Sequence, residues 1–240
     1  MGVVDLTSGQ EVAFFGVESI INRTPMVRVG RNDYTHLELT DTSASYWYDN
    51  TNKFLEFGRT GNEGDYAPFF TFGNRTTTGT IGNHSSVFGY NCEASGLHSV
   101  AIGTSAVASG SNSFAVNGTA SGVNSVAFGG TASGLNSVSF GDGNEVAGGW
   151  NFAAGGSNII YETTPPVEYS FAIGHGSKIY SSNAFAGGGA TINSNSDNSF
   201  AFGGEAKATG FGAIAIGQGA VANGNGAVAL GTGTIADADG

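Results

Sequence analysis

From Gly82 onward the chain repeats one short pattern, G-x-N-S-φ-A-φ-G followed by about six residues ending in A-x-A/S, where φ is a large apolar residue. Coils of this pattern begin at Gly82, Gly96, Gly110, Gly122, Gly134, Gly148, Val167, Ser181, Ser196, Gly210 and Gly224. The starts are almost evenly spaced. The coils from Gly110 and Gly122 are the shortest, the coil from Gly148 is the longest, and together the coils fill 82–237 without a gap. A repeat of near-constant period is the signature of stacked units, each too small to bury its own apolar face.

The pattern inside each coil fixes the kind of unit. The fifth position reads Ser86, Val100, Phe114, Val126, Val138, Phe152, Phe171, Phe185, Phe200, Ile214 and Val228. The seventh reads Phe88, Ile102, Val116, Phe128, Phe140, Ala154, Ile173, Gly187, Phe202, Ile216 and Leu230. Alanine stands between them in nine of eleven coils, and glycine follows in ten. Large and small side chains alternating with period two mean a short strand with two unlike faces. Two such strands and two tight turns account for the length of a coil. The glycines and the Asn at position three supply the left-handed backbone those turns need. Coils pairing in parallel at about 4.8 Å would rise about 50 Å in all.

The small residues suit the cramped space between the two strands of a coil. The large ones would leave a long apolar stripe, which soluble monomers rarely tolerate. Closing that stripe against copies of the chain around an axis is the economical solution. The sequence therefore predicts a parallel homotrimer, with a dimer as the alternative. Its core residues, whether at the trimer contact or inside the roll, are Val100, Ile102, Phe114, Val126, Phe128, Val138, Phe140, Phe171, Ile173, Phe200, Phe202, Ile214, Ile216, Val228 and Leu230.

Composition agrees with this and excludes other classes. Glycine supplies 41 of 240 residues but proline only 4, without a three-residue period, so the chain is not collagen. Charged residues are 11%, too few for a highly charged disordered chain. A net charge of −11 disfavours nucleic acid and anionic membrane as partners. The single Cys92 rules out an intrachain disulfide framework. No run of about 18 apolar residues exists to cross a bilayer as a helix. Met1-Gly2-Val3-Val4-Asp5 lacks a positive region leading into an apolar stretch, so no secretory signal peptide is expected there.

The segments N-S-V-A-F-G and A-I-A-I-G-Q-G-A-V-A resemble the head repeats of trimeric autotransporter adhesins of the YadA type. The resemblance covers 82–237. It implies an all-β chain folded as a left-handed parallel β-roll solenoid that trimerises. The same repeat also resembles modules of phage tail and neck fibres, which need neither export signal nor membrane anchor. The expectation is a non-enzymatic phage virion fibre, with a head fragment of a bacterial surface adhesin as the alternative.

Residues 1–65 differ in kind, holding 5 of the 8 Lys and Arg residues and the Tyr46-Trp47-Tyr48 cluster. Alternation in Met26–Val29, Leu37–Leu39 and Phe54–Gly58 predicts strands of a small N-terminal β domain. By family analogy this domain would attach the fibre to other virion proteins. A bridging segment follows at 66–81, where Phe69–Gly73 imitates a degenerate first coil before the repeats of 82–240.

Few residues offer site chemistry. The long coil that begins at Gly148 carries an insertion at 158–166. Insertions in a solenoid project from one face, so Ile160, Tyr161, Glu162 and Tyr169 form a candidate receptor-binding loop for a glycan or protein. His84 and His98 hold position three of consecutive coils and would stack, a weak metal candidate against their simpler duty in the turn. Glu162 and Glu168 are the one carboxylate pair on an irregular segment, but with nine acids over 82–240 and no cluster, a glycosidase is not expected. No cofactor motif is present, and G-x-G matches such as Gly217-Gln218-Gly219 recur simply as turns. Cys92 reads as a small core residue.

Overall fold

In a computed structural model, residues 81–161, 163 and 165–239 are described, together with strands at 2–6, 11–17, 25–32, 35–39, 43–47, 53–60 and 67–72 and residue 73. Before residue 81, side chains are described only at 55–57 and 70–73. The chain forms two compact units, Met1–Ser109 and Gly110–Gly240. No helix occurs among the described residues.

The first unit opens as an antiparallel meander of β1 (Gly2–Leu6), β2 (Glu11–Val17), β3 (Pro25–Asn32), β4 (Thr35–Leu39), β5 (Ser43–Trp47), β6 (Lys53–Thr60) and β7 (Ala67–Phe72). Each strand pairs antiparallel with the next, from Gly2↔Phe15 through to Leu55↔Phe72. Alternation marks β3, β4 and β6 in the sequence. β2 escapes it because Phe14 and Phe15 stand side by side, and β5 because Ser43-Ala44-Ser45 is too small to show a pattern.

At β7 the pairing changes sense. β7 lies parallel to β8 (Ser86–Tyr90), with Phe70↔Ser86, Thr71↔Val87 and Phe72↔Phe88, and β8 is parallel to β9 (Val100–Thr104). Phe70 and Phe72 thus occupy repeat positions five and seven. Gly73 follows at position eight with a φ of 108°. A side chain on Gly73 would run into the backbone of Gly89, so glycine is required by both conformation and contact.

The second unit is a parallel β-solenoid. Its nine coils each contribute one strand to a first sheet, from Phe114–Val116 to Val228–Leu230, and one to a second, from Thr119–Ala120 to Ile235–Ala236. With the two coils of the first unit there are about eleven turns in all. Like position pairs with like: Phe114↔Val126, Ala115↔Ala127 and Val116↔Phe128, then Val126↔Val138, Ala127↔Ser139 and Phe128↔Phe140. This in-register stacking is why the repeat must be kept so strictly, since a slip of one residue would turn every side chain to the other face.

Position six fills the interior. Ala115, Ala127, Ala153, Ala172, Ala186, Ala201 and Ala215 are wholly buried, facing Ala120, Ala132, Val146, Ile160, Ile179, Ile192, Ala208 and Ala222 of the second sheet. A buried methyl contributes only about 0.8 kcal/mol. Stability therefore comes from many small terms laid along the ladder of backbone hydrogen bonds. Most polar corners are satisfied locally: Ser125 Oγ donates to the Gly122 carbonyl and Ser137 Oγ to that of Gly134, each at 2.7 Å.

Positions five and seven face outward. None of the fifteen apolar residues predicted as trimer or roll core lies in the roll interior, which corrects the second of those two options. Val100, Ile102, Phe114, Val126, Phe128, Val138, Ile173, Phe200 and Ile214 are half-buried. Phe140, Phe171, Phe202, Ile216, Val228 and Leu230 are exposed, Leu230 by 59%. The reason is volume: a coil whose opposed strands leave room for alanine cannot enclose a phenylalanine. The outer rings stack along the roll instead, with centroids 4.8 Å apart for Phe128 and Phe140, 4.4 Å for Phe152 and Phe171, and 4.7 Å for Phe185 and Phe200.

Candidate functional site

Position three is where the repeat turns before its first strand, and every coil of the second unit takes a positive φ there. Asn112, Asn124 and Asn136 do so at 53–56°. Their short amides tolerate this backbone and link coil to coil: Asn112 Nδ2 donates to Asn124 Oδ1 at 3.1 Å, and Asn124 Nδ2 to Asn136 Oδ1 at 2.9 Å. The next two coils break the amide ladder with Trp150 (φ 53°) and Tyr169 (φ 56°) before asparagine returns to the turn at Asn183 and Asn198. Holding a non-glycine residue left-handed costs about 1 kcal/mol, and an aromatic lacks the amide that offsets this. Such strain gathers at functional sites.

The two rings stack with centroids 5.4 Å apart and planes at 19°. Both are solvent-facing, Trp150 by 47% and Tyr169 by 57%. Their backbones are fixed to the roll, with Trp150 N donating to the Leu135 carbonyl at 2.8 Å and Tyr169 N to that of Gly149 at 3.2 Å. At position two of these two coils stand Gly149 and Glu168, and Leu135 holds that position in the coil before them. Because Gly149 has no side chain, a notch opens beside Trp150 between an apolar wall and a carboxylate. A Cβ on Gly149 would already lie 3.6 Å from Glu168 Oε1. The notch encloses about 260 Å³ and is closed on the insertion side by Pro166.

The candidate receptor-binding loop is redistributed. Ile160 does not belong to a projecting loop: it is 1% exposed and fills the interior from the second-sheet strand Ile159–Ile160, which pairs with Lys178–Ile179. Tyr161 and Tyr169 have different partners. Tyr161 stacks on Tyr180 with centroids 4.1 Å apart, and their hydrogen bond, with some burial, pushes the Tyr180 phenol up to about 12. Glu162 lies outside the described residues. Trp150 is not among the residues that the sequence singles out. Its signal is present nonetheless, as a bulky aromatic at a turn position that elsewhere in the second unit takes asparagine, glycine or Tyr169.

His84 and His98 stack at position three, ring centroids 5.0 Å apart and both with φ of 56°. Among the described residues no group of three or more His, Cys, Asp or Glu stands close enough to hold a metal ion. Cys92 is fully buried, with Sγ donating to the Gly103 carbonyl at 3.1 Å, and burial pushes its thiol up.

Residues 94–116, 120–144 and 208–234 match the family model of the YadA head domain repeat (2 copies). The matched segments fall on the coils that pair in register as a parallel β-solenoid. No curated protein matches the chain.

Proposed function

We propose that the chain is a non-enzymatic segment of a trimeric fibre, with the outward rows at positions five and seven forming the contact between three copies. The observation that carries this reading is the exposed apolar stripe running through the second unit, from Phe114 to Leu230, with Phe202 45% and Val228 52% exposed on a single chain. A stripe of this kind needs cover. A threefold axis along the coils would stack each coil's residues against their own counterparts, keeping like with like at every level. The matched repeat supports an adhesin-like or fibre protein. Within that class we favour a phage tail or neck fibre on the virion, attached to other virion proteins through residues 1–65 and contacting a host-surface glycan or protein near the insertion. The match to an adhesin head repeat favours a second reading, a bacterial surface adhesin head.

Phe200→Asp and Ile216→Asp test the contact. Each would bury a carboxylate among apolar neighbours in the trimer, yet leave it facing water on a separate roll. Both variants should sediment as smaller species, and a native-mass assembly formed by both would contradict the reading. Gold-labelled antibody against the chain, imaged on virus particles and on cell envelopes, separates the two locations: label on particles supports the virion fibre, and label confined to envelopes supports the adhesin.

A further inference from the structure

We infer that the notch beside Trp150 is a saccharide site, taking one pyranose ring of a surface glycan. This rests on the fibre reading for its biological setting and names the ligand class and position of the contact near the insertion.

Three features point to a sugar. The Trp150 ring is held against Tyr169, their planes 19° apart, and stands 47% exposed in the lining of the notch. A flat aromatic surface suits the C–H face of a pyranose, whose hydroxyls lie around its rim. Glu168 supplies, on the adjoining wall, a carboxylate that accepts hydrogen bonds from hydroxyls, and such bonds to a charged acceptor are the strong ones. Leu135 opposite gives the apolar edge, so the notch is mixed in the way ligand sites are: mostly apolar with a few placed polar groups. Its 260 Å³ is below the roughly 300–1,000 Å³ of drug-sized sites, the scale of a single ring.

A quaternary ammonium is the main rival, because aromatic rings with a nearby carboxylate also attract cations. Cation cages set ring faces around the charge from several sides. Here one ring alone, Trp150, lines the notch, with Tyr169 stacked on it rather than set around the ligand. A protein partner would need a far larger surface than this notch.

The asparagine ladder supplies a clean variant. Trp150→Asn and Tyr169→Asn restore the residue that Asn136 and Asn183 place at the same turn, so they remove the rings while easing the backbone. The full chain is applied to an immobilised array of pyranose oligosaccharides, and its mass is measured on the same sample. Wild type should bind one class of glycan. Trp150→Asn should weaken that binding by about tenfold or more, Glu168→Gln by several-fold, and Phe211→Ser, at position two of a distant coil, should leave it unchanged. A trimer that binds no glycan, or a Trp150→Asn variant that binds as wild type does, overturns the saccharide site while leaving the fibre reading intact. Tryptophan quenching by free choline without any glycan binding overturns it in favour of a cation. A monomer that binds glycan through Trp150 supports the site and contradicts the trimer.

Discussion

Two stretches of the second unit share one backbone register and differ in almost everything else. Coils 110–133 are the shortest, with Asn112 and Asn124 at the turn, Gly118 and Gly130 at the corner, and Ala120 and Ala132 facing inward from the second strand. Coils 148–195 are longer and carry Trp150 and Tyr169 at the turn and Ile160, Ile179 and Ile192 inside. The difference begins at the corner. In a short coil only Asn117 and Gly118 join the strands, and a side chain at Gly118 would press on the Gly130 carbonyl at 2.6 Å. A longer coil adds an inward corner residue. Asn144, Asn158 and Ser177 form a buried ladder: Asn158 N and Nδ2 both donate to Asn144 Oδ1, at 2.9 and 3.1 Å, and Ser177 N donates to Asn158 Oδ1 at 3.0 Å. That extra layer stands beside isoleucine at Ile160, Ile179 and Ile192 and beside alanine at Ala208 and Ala222, whereas the short coils, which lack it, hold only alanine. The backbone ladder is the constant, and the corner limits the width.

The comparison can be broken first by exchanging the fillings. Ile160→Ala should cost about 3–4 kcal/mol in thermal or denaturant unfolding, because the widened interior cannot collapse around the lost methyls. Ala132→Ile should cost about 3 kcal/mol, since the short coil has no corner layer to spread its strands. If the two changes proved nearly neutral, coil width would not be set as argued. A smaller effect should follow from Gly122→Ala. The added Cβ would fall on the Gly134 carbonyl oxygen of the next coil, so the backbone must shift, at about 2 kcal/mol.

Smallest is the tyrosine pair of the irregular stretch. Tyr180 titrates at about 12 in the folded chain against 10.0 ordinarily, so the pair's contribution is fully present below pH 10 and is lost as pH rises from 10 toward 12. Tyr161→Phe removes the hydrogen-bond partner and should bring the Tyr180 transition back toward its ordinary range in an ultraviolet absorbance titration. An unchanged transition would mean that burial alone holds the phenol neutral.

The regular coils are legible in the sequence because each requirement falls on a fixed residue type. Glycine is needed where backbones touch, asparagine or glycine at most turns where φ is positive, and alanine where two strands face each other at their closest. Ile160 is misplaced by sequence reasoning for a physical reason: its strand is so short, with one inward side chain, that no period can show which way it points. Trp150 escapes notice because its backbone obeys the repeat while its side chain does not. The outward direction of Phe200 and Phe202 follows from the volume of the interior, and no alternation of large and small can tell inside from outside.

Everything proposed for the fibre rests on covering the outward stripe. The mass of the intact chain in solution, measured by light scattering, tests this directly. The account predicts three times the 24.2 kDa of one chain. A stable, soluble particle of 24.2 kDa would show that Phe202, Ile216 and Leu230 remain in water without a partner, and would contradict the trimer on which the proposed function stands.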